Sequence, residues 1–276
     1  MKNTILGIHH ITAIAGDAQR NFNFYANVLG LRFIKKTVNF DDPGTYHFYF
    51  GDEIGSAGTI LTFFPWGEGI QQARRGAGMA TEIGYSVPKG SLDFWIERFE
   101  KYNVTYNKSS EKFGEKYVTF LDPDGLKLEL IESATEDNRT PWETPEINAA
   151  VALKGFHNIT LTLNKIEATA TILTEIFGYK LVEKAVNRYR YATTAVKTAA
   201  IVDLVELPEE KRGHVANGAV HHVAFRVTDD ESLMYFHKII SEKGYGITPQ
   251  IDRQYFHSLY LSSATELRSL PVHLLV

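Results

Sequence analysis

Two adjacent histidine pairs, His9-His10 and His221-His222, are the residues in this 276-residue chain best suited to chemistry. Imidazole changes charge near neutral pH and, when neutral, is the commonest protein ligand for a transition metal. The chain has no cysteine, which excludes thiolate nucleophiles, disulfides and cysteine-based zinc sites. Neighbouring side chains on a strand point to opposite faces, which predicts that one histidine of each pair faces a given site directly. A lone strand histidine is more often a hydrogen-bonded core or surface residue than a ligand. Two pairs at equivalent places in a repeat shift the balance toward a metal site.

The repeat is legible by eye. GIHHITAIAGDAQRNFNFYANVLGLRFIKKTVNF near the N-terminus matches GFHNITLTLNKIEATATILTEIFGYKLVEKAVNR in the second half. Each copy passes from a strand into a helical segment ending at a glycine, Gly30 or Gly178, that suits a left-handed helix cap. TEIGYSVPKGSLDFWIERFEKYNV and HHVAFRVTDDESLMYFHKIISEKGYGI share the strand–turn–amphipathic helix opening. FGEKYVTFLDPDGLKLELIES then reads as two strands joined by a turn at Asp122-Pro123-Asp124-Gly125. These features predict an α+β fold of four βαβββ modules beginning near residues 7, 80, 155 and 219. Two tandem halves, 1–132 and 153–276, would flank a charged, proline-bearing linker at 133–152. Phe22, Tyr25 and Leu29, and Leu92, Trp95, Ile96 and Phe99, lie at helical spacing and are read as core.

Bulk composition removes other classes. The chain is 44% hydrophobic and 22% charged with a net charge of −4, leaving no basic footprint for nucleic acid or a membrane surface. No apolar run reaches membrane-spanning length, and the N-terminus lacks the features of a signal peptide. A soluble, cytoplasmic protein is expected, with the oligomeric state open and a homo-oligomer among the options. Phosphate-loop, dinucleotide and serine-hydrolase motifs are missing.

With its HHITAI and HHVAF openings, the chain resembles the vicinal oxygen chelate superfamily, which includes glyoxalases and extradiol dioxygenases. The longer stretches YSVPKGSLDFW and ITPQIDRQYFHSLY are similar to the hydroquinone-type ring-cleaving dioxygenases. The resemblance implies that the second histidine of each pair, His10 and His222, binds Fe(II) or Mn(II) together with a late carboxylate. It implies a site built by the first and fourth modules, a small aromatic substrate (hydroquinone or catechol) and O2 as partners. His9, Thr12, His221, Arg253 and Tyr260 would surround the reaction. Without the resemblance, Arg253 reads as a surface cation paired with Asp252 or a neighbour.

The C-terminal tail departs from that pattern. Counting in parallel with the second module sets Phe120 against Leu261 and Glu129 against Leu270, so leucine falls at the carboxylate position. Glu266 and His273 are the nearby groups able to substitute, Glu266 being favoured, and each needs a shifted strand. Pro271 sits badly in a central strand. A tail altered by frameshift or truncation would leave a folded protein with impaired activity. A glyoxalase-type isomerase or lyase, and a non-catalytic aromatic-binding protein, are the rival readings on the same fold.

Overall fold

The computed structural model describes residues 3–254, 256–262 and 272–276. Its first module runs β1 (Ile8–Ala15), helix α1 (Ala18–Phe22) widening into a π-type segment (Asn23–Val28), then β2 (Arg32–Val38), β3 (Tyr46–Gly51) and β4 (Ile60–Pro65). The second is β5 (Met79–Val87), α2 (Leu92–Lys101), β6 (Ser110–Lys112), β7 (Glu115–Leu121) and β8 (Lys127–Glu132). The third is β9 (Gly155–Leu163), α3 (Glu167–Thr171) with a second π-type segment (Ile172–Ile176), β10 (Lys180–Ala185), β11 (Arg188–Ala192) and β12 (Ile201–Glu206). The fourth is β13 (Val220–Arg226), α4 (Asp230–Glu242), β14 (Gly246–Ile247), β15 (Ile251–Asp252), β16 (His257–Ser262) and β17 (Val272–Leu275). This is the α+β architecture of four βαβββ modules in two tandem halves.

The modules pair across the halves. One sheet has the order β14-β16-β17-β13-β1-β4-β3-β2, with β15 also on β16, and joins modules four and one. The other, β10-β11-β12-β9-β5-β8-β7-β6, joins modules three and two. At each centre the opening strands run antiparallel, β1 on β13 and β5 on β9. That pairing brings His10 to His222 across 212 positions of sequence.

Helical spacing explains the covering layers. Tyr25 and Leu29 are buried, as are Leu92, Trp95 and Phe99, while Phe22 and Ile96 are partly buried against the same core. Tyr25 stacks on Phe63 with centroids 4.5 Å apart, and Phe99 on Phe120 at the same distance. Gly30 and Gly178 take the left-handed conformation that ends each of the first and third helices. The stretch between the halves is pinned down: Ile147 is buried against Gly30, Trp95 Nε1 donates to Val151 O, and Arg98 binds both Glu146 and the carbonyls of Asn27 and Val28.

Gly218 sets the entry into β13. Its φ is +80°, its N–H donates to Ile14 O at 2.9 Å, and an added Cβ would lie 1.8 Å from Asp124 O. Clash and backbone strain act together here, so Gly218→Ala should cost about 2 kcal/mol or more. Chemical denaturation with an unchanged m-value would check it.

Candidate metal centre

Both opening strands carry a bulge at the histidines. In β1 the register passes from Ile8↔Phe225 to His10↔Ala224, leaving His9 extra. In β13 it passes from Thr12↔His222 to Ala13↔Val220, leaving His221 extra. Simple alternation would aim the members of each pair at opposite faces. The bulges overturn that expectation, because an extra residue re-aims its side chain. All four imidazoles line one cavity of about 750 Å³.

The inner rings meet at its floor. His10 Nε2 lies 3.2 Å from His222 Nε2. Each inner Nδ1 is engaged by the outer ring of its own pair, His9 Nδ1 at 3.0 Å and His221 Nδ1 at 2.8 Å. Such a partner fixes the tautomer and turns Nε2 inward. Two imidazole nitrogens bound to one ion at about 2.0–2.1 Å, roughly at right angles or wider, stand about this far apart. The two residues therefore fit as neighbouring ligands. Among the described residues, no group of three or more histidine, aspartate or glutamate side chains is arranged to hold a metal ion. Glu266 and Leu270 lie outside the described residues.

Other residues complete the walls. Thr12 Oγ1 is 2.8 Å from His222 Nε2 and 2.7 Å from Thr62 Oγ1. Thr62 continues to His47 Nε2 at 2.9 Å, and His47 Nδ1 to the Tyr49 hydroxyl at 2.9 Å. Arg253 donates to the Tyr260 hydroxyl and pairs with Asp41 at 2.9 Å. Its ion-pair partner is thus a loop of the first module rather than its neighbour Asp252. His273 stacks on His222 with centroids 3.8 Å apart and touches the Tyr260 ring at 3.9 Å. His47, Tyr49 and Thr62 were not singled out in the sequence, although the alternation TYHFYF puts His47 and Tyr49 on one face of β3.

Burial sets the charge state of this pocket. It depresses His9 to about 4, helped by Arg226, and His47 and His273 to about 3. Burial and the neighbouring imidazoles hold His10 and His222 well below the ordinary value, and burial lowers His221. All six rings are neutral at pH 7, the form that binds metal. The unfolded chain takes up protons near pH 6.5, whereas the folded pocket resists until pH falls to about 3–4. These groups therefore cost nothing above about pH 6.5 and destabilise the fold progressively below it. The metal-free protein should lose about 5 °C or more of Tm between pH 7.5 and 5. Replacing His9 and His47 by glutamine should flatten that slope in a thermal scan with chelator.

The second sheet has the same four central positions with a different filling. A residue on each opening strand is followed two places later by one paired with the module's last strand. The paired positions are Thr12↔Thr62, Gly84↔Glu129, Thr160↔Asp203 and Ala224↔His273. The first sheet thus assembles His10, Thr62, His222 and His273, and the second Glu82, Glu129, Asn158 and Asp203. Cations answer the second set. Lys127 and Arg188 bind Glu82 at 2.6 and 2.8 Å, Lys112 binds Glu129 at 2.5 Å, and Arg190 binds Asp203 at 2.9 Å.

Paired βαβββ modules around one histidine-lined cup are the architecture that this chain shares with known proteins. The chain belongs to the glyoxalase/bleomycin resistance protein/dioxygenase superfamily, whose pattern matches residues 7–130 and 155–263. It is 46% identical over 97% of its length to the candidate ring-cleaving dioxygenase MhqO of Bacillus subtilis, spanning 84% of that protein. It is 36% identical to the chlorohydroquinone/hydroquinone 1,2-dioxygenase of Sphingobium indicum, over 92% of this chain and 82% of that one. The crystal structure of a candidate dioxygenase from Bacillus subtilis superposes with a TM-score of 0.92 at 44% identity, covering 100% of this chain and 86% of that one. Maize glyoxalase I, at 16% identity and a TM-score of 0.69 over 98% of this chain and 92% of that one, shares the fold. The chain is an enzyme of the dioxygenase type, in a family for which metal dependence is general.

No helix among the described residues is long and apolar enough to cross a membrane.

Proposed function

We propose that this protein is an Fe(II)-dependent, extradiol-type ring-cleaving dioxygenase of a hydroquinone or catechol, with His10 and His222 as metal ligands. The observation that carries this reading is the 3.2 Å approach of the two Nε2 atoms at the floor of a cavity of about 750 Å³. That volume suits a single substituted aromatic ring with O2 beside it. Support comes from the relative named for chlorohydroquinone and hydroquinone.

Fe(II), when bound, supplies the electron transfer that lets a closed-shell phenol and O2 react, with Mn(II) the other ion such donors accept. The rest falls to side chains. His9 and His221 hold the inner rings in orientation through their Nδ1 contacts. Arg253, its side chain only 10% exposed, is placed to balance a phenolate. Burial raises the Tyr260 phenol above its ordinary value against the pull of Arg253, which keeps a proton on its oxygen at neutral pH. Tyr260 and the outer histidines are the groups within the cavity able to move a proton to or from a substrate hydroxyl. Phe40, Phe64 and Phe256 give the ring an apolar seat and displace water.

The test is oxygen uptake by anaerobically purified protein supplied with Fe(II) or Mn(II), then with hydroquinone, chlorohydroquinone or catechol. One O2 consumed per ring opened is expected. Metal binding without oxygen consumption by any of the three would overturn the dioxygenase reading.

A further inference from the structure

The histidine-lined cavity is buried and polar at its floor and largely apolar where it opens. We infer that its substrate is a hydroquinone or catechol carrying an apolar chain longer than methyl, and that this chain lies along Val38, Phe40 and Trp66. The inference rests on the cavity being the substrate site, as proposed above, and narrows the substrate class.

Three observations carry it. The first is exposure. Val38 is 46% exposed, Phe40 53% and Trp66 42%, and all three line the cavity. Single apolar residues on a surface are ordinary, but three around one opening, with exposed Pro43 among them, form a patch of the kind that marks a binding site. They come from separate parts of the first module. Val38 ends β2, Phe40 and Pro43 lie in the β2–β3 loop, and Trp66 follows β4. Polar Asp41 and Gln254 border the same opening, and Asp41 is already paired with Arg253 at 2.9 Å.

The second is the contrast between the two ends. His10 and His222 are buried at the floor, and Arg253 and Tyr260 add polar groups beside them. A ligand that satisfies both ends is polar at one and apolar at the other. The floor claims the hydroxyl-bearing ring, which leaves the opening to its substituent. The third is volume. A bare hydroquinone has eight non-hydrogen atoms. At no more than the roughly 30 Å³ of a water molecule each, they fill about a third of the cavity of about 750 Å³. Chlorine or methyl adds only one atom more.

The apolar wall is also held in place. Trp66 N–H donates to Ala15 O at 2.9 Å, and Val38 pairs with Tyr46 across the hairpin. Asn39 N–H closes the loop on Thr45 O at 2.7 Å, and the Arg253 guanidinium lies 4.8 Å from the Phe40 ring centre. A preformed wall needs little ordering when a chain settles on it.

Isothermal titration of the full chain with Fe(II) under nitrogen tests this without turnover, using methyl-, propyl-, butyl- and hexylhydroquinone. Affinity should rise about two- to fourfold per added methylene, as burial of a methylene predicts. Replacing both Val38 and Trp66 by serine should cut the hexyl-to-methyl affinity ratio by about 10-fold or more. Both side chains are exposed, so serine leaves the core intact. Affinity that is flat or falls beyond methyl would overturn the inference, and leaves the dioxygenase reading standing where methylhydroquinone drives oxygen uptake. A slope unchanged in the double variant would overturn it too, because the chain would then lie elsewhere. A flat slope together with a dimer that sedimentation shows dissolving in Trp66→Ser would give the patch to a second copy instead. Binding of none of the four would overturn the cavity as substrate site, and with it the function proposed above.

Discussion

His222→Ala is expected to abolish stoichiometric metal binding and to lower oxygen uptake on a hydroquinone by at least about 1,000-fold, with His10→Ala close behind. Both exceed the 10–100-fold typical of losing a partner outside the coordination shell. The argument rests on position. His222 Nε2 is within 3.2 Å of His10 Nε2 and 2.8 Å of Thr12 Oγ1, and its ring covers His273. On the proposed reading its removal takes away one of the two inner nitrogens and the ring against which His273 packs. His221→Ala removes the hydrogen bond to the inner ring and a cavity-lining imidazole packed on Phe64, leaves both inner nitrogens in place, and should cost about 10–100-fold. The ratio between these variants is the measurement. Equal losses at His221 and His222 would mean that the outer ring is the ligand. Neither inner-ring substitution should unfold the metal-free protein, because each removes a buried ring that resists the charge it would otherwise take up below pH 6.5.

The sequence carried the module count, because the repeat GIHHIT/GFHNIT fixes where strands open and Gly30 and Gly178 fix where helices stop. It carried the place of the inner histidines for the same reason. It did not carry the bulges. A bulge is a property of two strands in register, and nothing local distinguishes His9 from any alternating strand residue. Nor did it carry His47, Tyr49 and Thr62, whose link to His222 runs through strands that meet only when β3 and β4 pair with β1. The tail shows the same limit. Phe120 and Leu261 do hold equivalent places, but the longer connection after them is invisible to a count along one chain. Arg253 is instructive in the opposite direction. Sequence neighbourhood offers Asp252, yet the fold supplies Asp41 from 212 positions away. Its ion-pair partner is a residue of the first module.

The second large effect is expected in the sheet without histidine pairs. Asp203→Leu should destabilise the protein by about 3–5 kcal/mol, the usual cost of removing one member of a buried ion pair. Its carboxylate is fully buried and accepts from Arg190 Nε at 2.9 Å, Arg190 Nη2 at 3.1 Å and Asn158 Nδ2 at 3.1 Å. Among the described residues, leucine would leave Arg190 with Glu115, at 2.6 Å, as its one ion-pair partner, and leave the Asn158 amide nitrogen with only a long contact to Thr160 at 3.4 Å. At about 2–4 °C per kcal/mol for a chain of this size, Tm should drop by on the order of 10 °C. The double replacement Asp203→Leu with Arg190→Met should recover part of that loss, because the stranded guanidinium is what makes the single change costly. Equal Tm values for the single and double variants would show that the loss comes from packing and not from unpaired charge. Oxygen uptake should hardly change in either variant, since this network sits at the centre of the other sheet. The same four central positions thus take two forms: three neutral imidazoles and a threonine beside a cavity, and three carboxylates and an asparagine, the carboxylates already paired with lysine and arginine. In the second form lysine and arginine already neutralise the carboxylates, so on the proposed reading the histidine-bearing sheet is the one that offers donors to a metal.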